Sequence, residues 1–182
     1  MSGNKRSHLK FSVFIVFFFL FFIHFAGCRT EQNDYKKLIH PQFTIEHPRS
    51  WNVIPASLHY SINGPIVENY VVNFKIDYNP EANLHLNLFR ETVESQNQLQ
   101  NLPGYVSVEE KELDINGVPA LQRVIKTDVV LAQNQQVTLM VMLTYIVKDD
   151  QFGVVFTAEV PENHYLTYRP IFNTMIQSFR FR

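Results

Sequence analysis

Residues 113–120 read Leu-Asp-Ile-Asn-Gly-Val-Pro-Ala and place an Asn-Gly pair, Asn116-Gly117, between two extended runs. Both central residues of a type I′ hairpin turn need positive φ, which asparagine and glycine tolerate better than most residues. The sequence therefore predicts that residues 105–115 and 119–126 are partner strands of an antiparallel hairpin.

Further short β-rich runs separated by polar turns lie on both sides of this hairpin. Polar residues 133–136 predict a second turn before a strand at 136–147, and residues 149–151 predict a third turn before a strand at 152–160. On the N-terminal side, residues 43–47 alternate apolar and polar side chains, and residues 66–78 are rich in β-branched and aromatic side chains. Strands that follow one another in the chain predict an antiparallel meander.

Two segments predict helices. Residues 91–101 are rich in Glu, Gln and Ser and are followed by Pro103-Gly104, which indicates a polar, exposed helix. Residues 165–176 carry apolar side chains at helical spacing and predict an amphipathic helix on the sheet, kinked or restarted at Pro170. The leucines at 84, 86 and 88 alternate with other residues and predict a strand instead.

The N-terminal segment has the layout of a secretory signal. Basic Lys5, Arg6 and Lys10 precede an apolar run at 11–25. The run ends in Phe-Ala-Gly-Cys at 25–28, which resembles the bacterial lipobox, although Phe25 stands where leucine is usual. We predict a signal peptide at 1–27, a lipidated tether at 28–40 beginning with Cys28, and a globular domain at 41–182. An uncleaved membrane anchor and a soluble exported protein cut elsewhere are the alternatives.

Composition limits the classes of partner. Without Lys5, Arg6 and Lys10, the chain has 13 Lys and Arg against 17 Asp and Glu, a net charge of about −4. Nucleic-acid binding requires a basic surface, so this balance argues against it. Because the leader and Cys28 predict export and anchoring, the expected location is on the extracytoplasmic side of a membrane, in the periplasm or on the cell surface.

Residues 43–51, Phe-Thr-Ile-Glu-His-Pro-Arg-Ser-Trp, resemble the opening "aromatic-x-Ile-x-x-Pro-x-x-Trp" pattern of the PsbP-like superfamily. The superfamily includes DcrB-type lipoproteins and a Ran-binding nuclear import factor of similar fold. The Asn-Gly hairpin with Val118-Pro119-Ala120 and the final Ile-Gln-Ser-Phe at 176–179 resemble the same pattern. The resemblance implies an α+β fold, an α-β-α sandwich with a central, mainly antiparallel sheet flanked by helices. It also implies an accessory or assembly protein, as in the extrinsic subunits of photosystem II and small envelope lipoproteins.

Candidate sites other than Cys28 are few. His47 and Glu46 are metal-site candidates, because imidazole and carboxylate groups bind Zn²⁺ or Mn²⁺. Adjacent strand residues point to opposite faces, however, and we favour surface histidines and no cofactor. Tyr165, Tyr168 and Arg169 form a candidate interaction surface on the final helix, with packing of the tyrosines on the sheet as the alternative. Trp51 and Phe43 are expected in the core, with a ligand pocket as the alternative.

No nucleophile elbow of the form Gly-x-Ser-x-Gly and no phosphate-binding glycine loop occur in the sequence. The leading hypothesis is a non-enzymatic, membrane-tethered accessory lipoprotein that binds or helps to assemble an envelope or membrane protein complex. The alternative is an exported module that binds a small ligand or a metal. A hydrolase of unrecognised type is the least favoured class.

Overall fold

The computed structural model describes residues 34–182. The strands are β1 Tyr35–Ile39, β2 Phe43–Pro48, β3 Asn52–Pro55, β4 His59–Val67, β5 Tyr70–Asn79, β6 Val106–Ile115, β7 Val118–Val130, β8 Gln136–Lys148, β9 Phe152–Pro161 and β10 Arg180–Phe181. The helices are α1 Leu86–Gln96 and α2 Tyr165–Ser178, and short 3-10 turns lie at Leu99–Asn101, Ala132–Asn134 and Glu162–His164.

The strands form two antiparallel sheets. The large sheet has seven strands in the order β3-β4-β5-β9-β8-β7-β6, and the small sheet has three in the order β1-β2-β10. Because β5 pairs with β9 rather than β6, the chain after β5 crosses to the far edge of the large sheet. α1 lies in this crossover and packs against β8 and β7, so it covers only part of that face.

The Asn-Gly hairpin is confirmed. Ile115 and Val118 are direct partners, so the turn consists of Asn116 and Gly117, whose φ values are 58° and 84°. The side-chain amide of Asn116 donates hydrogen bonds of 3.0 Å and 2.8 Å to the carbonyl oxygens of Gln177 and Phe179. The turn therefore also fixes the C-terminal end of α2. The two later hairpins, β7-β8 and β8-β9, are confirmed as well.

The two faces of the large sheet are covered differently. α2 and the small sheet pack on one face, where phenylalanines from both layers form the core; the fully buried ones are Phe43, Phe74, Phe156, Phe172 and Phe179. The opposite face buries a second cluster that includes Leu139, Val141 and Leu143 of β8 together with Phe89 of α1. The predicted α-β-α sandwich is thus confirmed only in part, because a second complete helical layer is absent from residues 34–182.

The predicted boundary between tether and domain at residue 41 was wrong. Residues Tyr35–Ile39 pair along their whole length with β2, and the folded unit begins at Tyr35. Lys36 and Lys37 give this edge strand the polar appearance of a linker, but Leu38 lies opposite Ile45 and packs against the core. The predicted signal peptide and Cys28 lie outside the described residues.

Two predictions about helices also need correction. The segment at 84–88 is not a strand, because α1 begins at Leu86 and places Phe89 in the core. Three leucines in five residues are too short a pattern to separate a period of two from a helical period. α2 is continuous across Pro170, so the helix does not restart there. Proline has no N–H to pair with the Leu166 carbonyl, and Leu166 lies at an exposed position, where solvent can hydrogen-bond an unpaired carbonyl.

Candidate functional site

A groove of about 690 Å³ lies between α1 and the part of the large sheet that α1 leaves uncovered. This volume is within the range of small-molecule binding sites in proteins, roughly 300–1,000 Å³. Its floor is formed by side chains of β7, β8 and β9, namely Ile125, Leu139, Val141, Leu143 and Val155. Its wall on the helix side includes Phe89, Val93, Leu99 and Leu102.

Strand register explains why the groove changes from polar to apolar. Directly paired residues share a face of the sheet. One such row runs from Lys75 of β5 through Thr157 of β9 to Leu143 of β8. A neighbouring row runs from Glu159 of β9 through Val141 to Ile125. The groove is therefore polar toward β5 and apolar toward β8 and β7.

The polar side contains two bonded pairs. The ammonium of Lys75 lies 2.9 Å from the Asp77 carboxylate, and the Tyr70 hydroxyl donates a 2.7 Å hydrogen bond to Glu159. Burial, and then the neighbouring Glu159 carboxylate, raise the pKa of Tyr70 well above its usual value. The phenol therefore stays protonated at physiological pH and remains a hydrogen-bond donor at the rim of the groove.

A largely buried ion pair and a second, more exposed ion pair hold α1 against the sheet at the apolar end of the groove. Arg123 of β7 donates a 2.6 Å hydrogen bond to Glu94 of α1, and both side chains are about 15% exposed. Arg90 of α1 pairs with Glu110 of β6 at 2.6 Å. Tyr145 is fully buried in the groove wall, and burial followed by the charge of Glu94 raises its pKa well above the usual value.

The groove is lined by charged, polar and apolar side chains. Its carboxylates are already engaged: Asp77 with Lys75, Glu159 with Tyr70, and Asp128 with the hydroxyl of Thr138 at 2.7 Å. No histidine, serine or cysteine is among its lining residues within 34–182. An amphipathic molecule or side chain fits this arrangement, because the floor accepts apolar groups while the β5 side offers donors and acceptors.

The structure places the two metal-site candidates apart. His47 is buried, which corrects the expectation of a surface histidine, and its Nδ1 lies 3.0 Å from the carbonyl oxygen of Pro48. Burial lowers the pKa of His47; the contact with Pro48 opposes this and the charge of Lys36 adds to it. Glu46 is exposed on the other face of β2. No group of three or more possible metal ligands occurs within residues 34–182.

The three side chains predicted as an interaction surface mainly contact other residues of the same domain. Tyr165 is buried, and Tyr168 is half-buried with its ring centroid 6.3 Å from that of Trp51. Nη2 of the Arg169 guanidinium donates hydrogen bonds to both carboxylate oxygens of Glu109 in β6, at 2.8 Å and 3.0 Å. These contacts attach α2 to the sheet, and the Arg169 side chain is 32% exposed.

Sequence reasoning missed the groove. Its one signal is the sequence of β8, Gln-Val-Thr-Leu-Met-Val-Met-Leu-Thr-Tyr-Ile-Val-Lys at 136–148, which is nearly continuous in apolar residues. A strand of this kind is buried on both faces, so other parts of the protein must cover both faces of the sheet at this strand. The sequence does not show that α1 covers only one end of the second face.

Comparison with known proteins identifies the fold. The sequence matches no protein-family model and no curated protein sequence. CyanoP, the PsbP of Synechocystis sp. PCC 6803, aligns with a TM-score of 0.59 at 12% identity, over 82% of this chain and 93% of that one. PA94 from Pseudomonas aeruginosa aligns with a TM-score of 0.54 at 13% identity, over 80% and 96% of the two chains.

LpqN, described as involved in cell envelope biogenesis of Mycobacterium tuberculosis, aligns with a TM-score of 0.54 at 14% identity, over 82% of this chain and 92% of LpqN. These likenesses show that the chain has a PsbP-like fold, as its sequence predicted. No helix between residues 34 and 182 is long and apolar enough to cross a membrane.

Proposed function

We propose that this protein is an exported, non-enzymatic accessory protein, held to a membrane by a lipid on Cys28, that binds an envelope or membrane protein through the groove beside α1. The groove is the observation that carries the proposal, because it combines an apolar floor with bonded polar groups. The leader sequence and Cys28 support export and anchoring. The involvement of LpqN in cell envelope biogenesis agrees with an envelope function for a protein of this fold.

A small-ligand carrier is the second candidate. The volume of the groove, about 690 Å³, favours it specifically, since this space accommodates a drug-sized or lipid-sized apolar group. A carrier retains its ligand without a protein partner, whereas an accessory protein occupies the groove with a side chain or segment of its partner. Native mass spectrometry of the purified protein separates the two, because a bound small molecule adds a defined mass.

Filling the groove should strongly weaken partner binding. Thr157 is half-buried in the middle of the groove between Lys75 and Leu143, so a tryptophan there occupies the space. We expect affinity purification of tagged Thr157→Trp protein from cross-linked cells to recover at least about tenfold less partner than the unchanged protein, an energy of about 1.4 kcal/mol.

The matched control is Thr167→Trp, on the exposed side of α2, which should recover the partner in full. Both variants are first compared by their unfolding midpoints, so that a folding defect is not mistaken for lost binding. A milder variant, Lys75→Glu, changes the rim without adding bulk. Undiminished recovery with both Thr157→Trp and Lys75→Glu would show that the groove is not the binding surface.

A further inference from the structure

Basic side chains are distributed unevenly over the domain. Residues 34–182 carry 12 Lys and Arg against 16 Asp and Glu, so the folded part of the chain is acidic. Six of the basic side chains form ion pairs with carboxylates, and all of these lie on the large sheet, α1 or α2: Lys75, Arg90, Lys111, Arg123, Lys126 and Arg169. Their charges are therefore neutralised locally.

The other six basic side chains gather at the small sheet. They are Lys36 and Lys37 in β1, Arg49 directly after β2, Arg180 in β10, Arg182 after it, and Lys148, which lies 5.6 Å from the ring centre of Phe181 in β10. None of them forms an ion pair with a carboxylate of the described residues. Glu46 and Asp34 are the acidic residues within or next to the strands of the small sheet, and Asp149 and Asp150 follow Lys148 in the chain. The small sheet is thus a cationic surface on an acidic domain.

Strand register shows which side of the small sheet faces outward. Lys37 is opposite Glu46, and Ile39 and Arg180 are both opposite Thr44. These five residues share one face, which we call the outer face, because the neighbouring residues Phe43, Ile45 and His47 are buried in the core. Ile39 is 63% exposed on this face, whose charged residues are the basic Lys37 and Arg180 and the acidic Glu46.

The position of the small sheet in the chain suggests what covers the outer face. Tyr35, the first residue of β1, follows Cys28 by seven residues. Seven residues can span at most about 25 Å. A lipid on Cys28 would therefore hold β1 and its neighbours close to the membrane surface. Basic side chains beside an exposed isoleucine are the chemistry that binds anionic phospholipid headgroups.

We propose that the outer face of the small sheet docks on the anionic phospholipid headgroups of the membrane that carries the lipid anchor. This inference rests on the proposed anchor at Cys28. Docking fixes the orientation of the domain, since the large sheet and its groove then project from the membrane on the side away from β1. Each Lys or Arg near an anionic surface strengthens such an interaction by roughly fivefold, and salt weakens it.

The test uses the full mature chain with a fluorescent dye on Ile39→Cys, reconstituted into vesicles of phosphatidylcholine alone or with about one third phosphatidylglycerol, each containing a lipid-borne quencher. A second variant carries the dye on Leu166→Cys instead. Leu166 is exposed and lies at the N-terminal end of α2, whereas β10 follows the C-terminal end of this helix. We expect the dye at 39 to be quenched at least threefold more than the dye at 166 in the anionic vesicles, and high salt to remove the difference. Lys37→Glu with Arg180→Glu should also remove it.

The same samples distinguish failure of the anchor from failure of the docking. An acylated Cys28 has no free thiol, so an anchored chain carries only one dye, at position 39 or 166. The anchored chain also floats with neutral vesicles, whereas the Cys28→Ala chain does not float. Two dyes per chain, or no flotation, would overturn the anchor and with it the docking. A chain that carries one dye and floats is anchored. If quenching is then equal at positions 39 and 166, or if the charge reversals have no effect, the docking is overturned and the anchor stands.

Discussion

Trp51→Ala should lower the free energy of unfolding by about 3–5 kcal/mol, the cost of removing a large aromatic side chain from a protein core. Trp51 is 5% exposed, and its ring centroid lies 6.1 Å from that of Phe172. The backbone at Gly64 approaches the indole so closely that a Cβ there would lie 2.8 Å from Trp51 Cε2. Urea unfolding of the purified protein measures the loss, and Leu166→Ala, at an 80% exposed site, should change stability by less than about 0.5 kcal/mol.

Gly64 supplies an internal check on this prediction. Gly64→Ala should destabilise the unchanged protein, because the indole must move, but should cost little in the Trp51→Ala background, where the obstructing atoms are gone. Equal costs of Gly64→Ala in the two backgrounds would show that Trp51 does not pack over this backbone. A loss below about 1 kcal/mol on Trp51→Ala would favour the alternative that Trp51 lines a ligand pocket.

Arg123→Leu should lower the free energy of unfolding by about 3 kcal/mol, since it leaves the Glu94 carboxylate without its 2.6 Å partner beside the buried Tyr145. The double variant Arg123→Leu with Glu94→Leu should recover most of the loss, because replacing both charges of a buried pair by apolar groups is often neutral. A double-mutant cycle with urea unfolding measures this coupling. Additive effects of the two single changes would contradict the prediction.

The Arg123 prediction bears on the groove as well as on stability. The pairs Arg123–Glu94 and Arg90–Glu110 attach α1 to β7 and β6, and α1 forms one wall of the groove. We therefore expect faster amide hydrogen exchange in Leu86–Gln96 of the Arg123→Leu variant than in the unchanged protein.

Local chemistry made much of the fold predictable. Asn116-Gly117 fixed a hairpin because both φ values are positive, and the alternation at 43–47 correctly identified β2, whose odd-numbered residues are buried. The predictions failed where contacts between residues that are distant in the chain determine the structure. The basic β1 resembles a linker until its pairing with β2 is known, and His47 resembles a surface residue until the small sheet folds over the core.

The candidate site was less predictable than the fold. The groove combines residues from four strands and α1, and it exists because α1 crosses only one end of the sheet. No local pattern encodes that geometry. The pairing of Arg123 with Glu94 likewise joins residues 29 positions apart in the chain, and their sequence neighbourhoods contain other charges that form different pairs.

In-cell photo-cross-linking from the groove tests whether the groove binds an envelope or membrane protein. A photoreactive amino acid is placed at Thr157 in the groove or at Thr167 on the exposed side of α2, in the anchored chain and in its Cys28→Ala form. We expect one envelope or membrane protein to be cross-linked from Thr157, to be absent from the Thr167 sample and to be lost on Cys28→Ala. The same proteins captured from both positions, or none from Thr157, would contradict it.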